Sequence, residues 1–259
     1  MLMTARDGSR ALNSDSNSLV DGLARSVISK VNATPHQRRN RRIEIGSKIL
    51  SAAVLDGQGF DQDTVKSDLA ALRITPTDIV DHCIPEVARE LGADWVADRL
   101  SFAEVTVASS RLYGLCKSIG QDWDNIRPRM NARRLLLVTV DREDHILGPA
   151  VLADQLRRRG HSVMLHSNAT GQSIAGKLSA DEYDGVLVSV ATFQALEKAP
   201  HVIKDVKRSF PRTMVVLGGV ATQLREARLV TTGADLVTNN IDDALDSLSG
   251  SDLSLRVAE

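Results

Sequence analysis

Aromatic side chains are scarce in this chain: two Trp, two Tyr and four Phe make 3% of its 259 residues. So few ring faces argue against a surface that binds nucleic acid by stacking bases. There are two cysteines, Cys83 and Cys116, too far apart in the chain for a zinc-type or redox pair, so no disulfide framework and no cysteine metal site is expected. No apolar run is long enough to span a bilayer and no secretory leader is seen, which makes a cytoplasmic protein without membrane contact the expectation. Net charge is missing too. Thirty-two Lys plus Arg face 33 Asp plus Glu, and a chain so balanced has no global field to draw in nucleic acid.

What is present divides into two halves, as a chain of this length allows. Residues 1–17 are polar and aperiodic and read as a flexible tail. A short amphipathic stretch at 19–31 stops near Pro35 and gives way to Arg38-Arg39-Asn40-Arg41-Arg42, a charge run read mainly as solvated, with weak or indirect DNA contact as its functional alternative. From residue 43 to about 119 the periodicity is helical, broken at Gly57-Gln58-Gly59, at Thr75-Pro76 and at Gly92-Ala93-Asp94. Ser101 and Glu104 fit a capping box. The expectation is a helical bundle over 18–120, of about four helices. A polar stretch broken by Pro128 then serves as a linker over 121–131.

After the linker, short apolar runs alternate with helical patterns. Strands are expected at 134–140, 161–166, 184–190, 213–218 and 235–239, with helices near 148–159, 172–180, 194–209, 222–230 and 241–248. Alternation of this kind builds a flavodoxin-like, doubly wound parallel sheet over 132–250, with strand order 2-1-3-4-5. Ligands of such sheets bind beyond the carboxyl ends of the strands, where the winding reverses. Three features fall there: Glu143-x-His145-x-x-Gly148 after the first strand, Ser189 at the end of the third, and Gly218-Gly219 at the end of the fourth. An imidazole is a good transition-metal ligand, and a carboxylate two residues away can hold its other nitrogen. Paired glycines let a bulky ligand approach the backbone, or simply make a tight turn.

As a set these residues resemble the cobalamin-binding signature of methionine-synthase-like proteins: a histidine loop, a serine after strand three and a Gly-Gly after strand four. The resemblance implies His145 as the lower axial ligand of cobalt, with Glu143 and Gly148 in its loop. It also implies that Ser189, Gly218 and Gly219 line a slot for the displaced nucleotide tail. In that family a helical bundle covers the upper corrin face, marked by a tryptophan followed by Glu-His. Trp95 stands at the tryptophan position, as a ring-packing or a core residue, but Val105-Thr106 replace Glu-His. Position 195, where relatives place a hydroxyl that continues the histidine relay, is Ala195, and Phe193 lies near the tail slot.

A bundle joined to such a domain is most similar to the cobalamin-binding antirepressors of purple photosynthetic bacteria, the AerR and PpaA type. That similarity implies a light-responsive regulator, not an enzyme, whose partner is a redox-responsive transcriptional repressor of photosynthesis genes. The altered upper face favours the hydroxo or aquo form of cobalamin, with adenosyl and methyl forms as alternatives. A corrinoid methyl carrier, a haem-binding sensor on a related fold and an interaction module without pigment are the competing readings.

Overall fold

A computed structural model describes residues 34–121, 131–140, 142–224 and 231–253. The expected tail, the amphipathic stretch at 19–31, most of the linker and the larger part of the helix expected at 222–230 lie outside them. Helix α1 (Pro35–Leu55) opens with a capping box, in which the Thr34 hydroxyl accepts from the Gln37 amide and the Gln37 side chain accepts from the Thr34 amide. Pro35 was expected to stop a helix and instead starts one. At the first helical position its missing N–H has no partner to lose, and its fixed φ suits the turn. The arginine run therefore lies on this helix, and Arg39 is bound to Asp78.

Helix α2 (Gln62–Ala71) is capped by Asp61, and α3 (Pro76–Asp78) by Thr75 in a capping box with Asp78. A π-helical turn over Ile79–Cys83 then joins α3 to α4 (Ile84–Val96). Pro85 explains the turn. Inside a continuous α-helix its ring would meet the carbonyl four residues back, at Asp81, and widening the preceding turn relieves that clash. The break expected at Gly92-Ala93-Asp94 is absent, because a glycine costs a helix about 1 kcal/mol and the neighbouring Leu91 is held in the bundle core. The chain breaks after Val96, where Asp98 turns at φ 55° and the Arg99 amide returns to the Asp94 carbonyl. Ser101 and Glu104 form the expected box at the start of α5 (Phe102–Gln121), bonding each other's amides.

The second half is a parallel sheet in the order β2-β1-β3-β4-β5. Its elements are β1 (Arg134–Val140), α6 (Leu147–Arg158), β2 (Ser162–Ala169), α7 (Gly171–Ala180), β3 (Gly185–Ser189), α8 (Phe193–Ser209), β4 (Met214–Gly218), β5 (Leu236–Val237) and α9 (Ile241–Leu253). Where a helix was expected from residue 222, a short 3₁₀ turn covers Val220–Gln223. Strand β1 lies inside the sheet, between β2 and β3, and is buried along six residues. Its alternate side chains serve opposite faces, Leu136, Val138 and Val140 packing toward α7 and α8, and Leu135 and Leu137 toward α6 and α9. This is the architecture that the alternation of runs implied.

Helix α6 is apolar on two sides. Ala153 and Leu156 pack on the sheet, while Ala150 and Val151 belong to the core of the bundle, with Leu147 packed against it. Polar groups reinforce the second contact: the Arg158 guanidinium donates to Asp81 of the π turn and to Asp154 (2.7 Å), and the Gln155 amide also donates to Asp81 (3.0 Å). The bundle thus holds the helix that begins just after His145. Asp81→Ala, which leaves a half-buried guanidinium with one carboxylate fewer, is expected to cost about 1–3 kcal/mol in urea unfolding. Lys48→Ala breaks an exposed pair with Glu44 and should leave the urea midpoint at its wild-type value.

Candidate functional site

The loop between β1 and α6 turns through Arg142, at φ 61°, and the Glu143 amide donates back to the Val140 carbonyl (3.1 Å). This turn sends the Glu143 side chain inward, where its carboxylate is 1% exposed. Buried ionised carboxylates are costly unless their lone pairs are filled. Glu143 accepts five hydrogen bonds. The backbone amide (3.2 Å) and ring Nδ1 (2.5 Å) of His145 bond Oε1, while the Ala191 amide (3.1 Å), the Thr192 amide (3.2 Å) and the Thr192 hydroxyl (3.1 Å) bond Oε2.

The consequence for His145 is chemical. A carboxylate that only accepts requires Nδ1 to carry the proton, so the neutral ring keeps its lone pair on Nε2. The His145 side chain is 62% exposed. A nitrogen base of fixed tautomer therefore sits beyond the carboxyl end of β1, which is the donor a metal ligand requires. Among the described residues no group of three or more His, Cys, Asp or Glu could cage a metal ion. A metal inside a macrocycle brings its other ligands with it and needs one such nitrogen.

Thr192 is the participant that sequence reasoning missed. It caps α8, its hydroxyl accepting from the Ala195 amide (3.2 Å) while donating to Glu143. Its visible signal was a threonine one residue before a helical pattern. Ala195 lacks the hydroxyl, yet its amide orients the one that is present.

The remaining expected residues lie as follows. Gly148 is in the first turn of α6, exposed, with open space where a Cβ would stand. Ser189 ends β3, level with Thr139 on β1 and Gly218 on β4. Gly218 and Gly219 are each required by the protein's own backbone: a Cβ on Gly218 would stand 2.6 Å from the Thr238 carbonyl, and one on Gly219, at φ 109°, 2.8 Å from the Val190 nitrogen. Phe193 is the first residue of α8 and packs against the sheet core.

Trp95 is 48% exposed and tilts against Phe102, ring centroids 6.4 Å apart. It is thus not a core residue of the bundle. With Val96 at 82% and Phe102 at 71% exposed it makes an open apolar surface where α4 meets α5. Val105 packs against the core, and the Thr106 hydroxyl is bonded to the Phe102 carbonyl. In the basic run Arg38 and Arg41 are exposed, Arg39 is tied to Asp78, and the buried Arg42 Nε has no partner among the described residues.

Burial raises the Glu143 pKa, but hydrogen bonds from the His145 ring and from the Ala191 and His145 amides, with the His145 charge, carry it down to about 2. The hydrogen bond to Glu143 raises the His145 pKa above the ordinary histidine value of 6.5 against the opposing effect of burial. A depressed acid adds stability above its unfolded value, near 4.5, and loses it as pH falls toward 2. A raised base adds stability fully below 6.5 and loses it as pH climbs through its folded value. The pair therefore stabilises the apo-protein most between pH 4.5 and 6.5. Urea midpoints measured across pH should fall on both sides of that window in wild type, and Glu143→Gln should flatten both flanks.

Known proteins bear on this arrangement. The B12 binding domain family matches residues 133–249, the whole of the sheet half. A protein of Rhodobacter capsulatus described as an uncharacterized 20.5 kDa protein in the bchF-crtJ intergenic region is 30% identical over 190 residues, 72% of this chain and 98% of that one. The fold is similar to that of the Methanosarcina barkeri monomethylamine corrinoid protein, with a TM-score of 0.59 at 12% identity over 80% of this chain and 96% of that one. The domain match and the extent of the Rhodobacter likeness make this chain a member of the AerR/PpaA-type family.

Proposed function

We propose that this protein is a cobalamin-responsive regulator in which His145 is the lower axial ligand of cobalt. The observation that carries the reading is the buried Glu143 carboxylate fixing the His145 tautomer so that Nε2 faces outward with its lone pair. The residues suit the group. A corrin brings four of the metal's ligands and needs one exposed nitrogen from the protein, and open space remains at Gly148, three residues after that histidine. In this reading Ser189 lines the path of the nucleotide tail, and the exposed Trp95 and Phe102 offer apolar cover to the upper face.

The group supplies a cobalt centre and, in its alkyl forms, a light-labile cobalt–carbon bond. No imidazole or carboxylate stands at positions 105 and 106, and the Thr106 hydroxyl is taken up by its own helix. We assign the hydroxo or aquo form as the preferred ligand on that ground. The regulatory role is supported by the family relation to a Rhodobacter protein named for its place beside bchF and crtJ. Our reading makes the chain a non-enzymatic antirepressor that acts on a redox-responsive repressor of photosynthesis genes.

Its signal would travel along α6. The His145 loop leads into this helix, and the helix packs on the bundle through Ala150, Val151 and the Asp81–Arg158 pair. A ligand that favours one placement of the loop thereby biases the bundle, and a partner reading the bundle is linked to ligand state by the difference in affinity. The first test is the absorption spectrum of purified protein mixed with hydroxocobalamin and freed of unbound pigment. Wild type is expected to retain a shifted corrinoid spectrum, and His145→Ala to lose the pigment or revert to the free spectrum. Retention of an identical spectrum by both proteins would overturn the axial role of His145. Retention by neither would favour haem or a protein ligand alone.

A further inference from the structure

We infer that Gly219 positions His145, acting through the loop of residues 190–192, an inference that rests on the axial-histidine reading above. Paired glycines at the end of a strand invite the view that they clear space for a ligand. Two glycines of this site behave differently. At Gly148 a Cβ would meet nothing within 4 Å, whereas at Gly219 it would press on the nitrogen, carbonyl carbon and carbonyl oxygen of Val190. The space that Gly219 leaves is already filled by the protein.

Val190 is held tightly there. Its amide donates to the Gly218 carbonyl (2.9 Å), and its carbonyl accepts from the Ala221 amide (3.2 Å). The next two residues are those that grip Glu143. The Ala191 amide, the Thr192 amide and the Thr192 hydroxyl supply all three bonds to Oε2, while Oε1 holds the His145 ring. Three consecutive residues are thus seated on the glycine turn at one end and clamp the histidine's carboxylate at the other. A side chain at 219 must displace the Val190 backbone or drive the turn from φ 109°, a region that L side chains rarely adopt. Either response moves the donors to Oε2, and the carboxylate turns with them. Gly219 is therefore a positioning residue, with no contact to His145 of its own.

The experiment begins with full-length apo-protein carrying ¹⁵N-histidine, at a pH where His145 is neutral. Ring nitrogen shifts report the tautomer. Wild type should show Nδ1–H alone, and Gly219→Ala a mixture of tautomers. The same variant should bind cobinamide, a corrinoid without the nucleotide tail, about 10- to 100-fold more weakly, the usual effect of disturbing a group behind a metal ligand. Thr192→Val, which removes the hydroxyl at the other end of the loop, should reproduce both effects, and Thr192→Ser should restore wild-type behaviour. A folded Gly219→Ala protein with the wild-type tautomer and wild-type cobinamide binding, weakened only toward cobalamin, would show a glycine that serves ligand space and would overturn the inference. If Gly219→Ala does not fold, an unchanged tautomer in Thr192→Val overturns it instead. Wild type that binds neither corrinoid sinks the axial reading, while the apo tautomer measurement still decides whether the loop positions the ring.

Discussion

A single buried carboxylate holds the carboxyl end of the sheet together. Glu143 accepts from its own loop through His145 and from the start of α8 through Ala191 and Thr192, so two connections that leave different strands are fastened to one group. Removing such a charge from water is costly unless donors replace the lost hydration. Here they do, and burial fails to neutralise the acid, which is driven down to about 2. The amides at the start of α8 add the favourable end of a helix dipole. An ionised group that cannot leave its donors is a rigid fixture, and the imidazole bonded to it inherits that rigidity.

Helix α6 extends the constraint to the other half of the molecule. A helix covering one face of a sheet ordinarily turns its outer side to water; this one is covered on both sides, by the sheet and by the bundle. The Asp81–Arg158–Asp154 cluster stands at the end of the helix remote from His145, and Asp81 reaches it from the π turn that Pro85 imposes. A proline in the bundle thus shapes the place where the two halves meet. The loop, the helix and the bundle form one mechanical chain.

Much of this was legible in the residues because burial writes itself into composition. The run Leu135-Leu136-Leu137-Val138 reads as a strand covered on both faces, and the alternation of such runs with amphipathic stretches reads as a doubly wound parallel sheet. The histidine loop was legible because its chemistry and its place at a strand end agree. Other features depend on contacts that a linear pattern does not contain. Pro35 and Gly92 carry opposite meanings according to position: a proline at a first turn begins a helix, and a glycine beside a buried leucine fails to end one. Trp95, read as either a ring-packing or a core residue, is exposed beside Phe102. Gly218 and Gly219 were visible as glycines, but the backbones that require them, at Thr238 and Val190, come from distant parts of the chain.

Two features of the site belong together: the carboxylate beside His145 is a glutamate, and position 195 has no hydroxyl. In the folded chain they answer one another. The added methylene of glutamate lets a carboxylate that already holds the histidine with Oε1 present Oε2 to the start of α8, where Thr192 offers an amide and a hydroxyl. A hydroxyl three residues further along is then redundant, and the Ala195 amide serves to orient the one that remains. The hydrogen-bonded support of the histidine lies at the cap of the helix. There it rests on backbone groups as well as a side chain, and backbone amides held by a helix start and by the Gly218-Gly219 turn are harder to displace than a hydroxyl that is free to rotate.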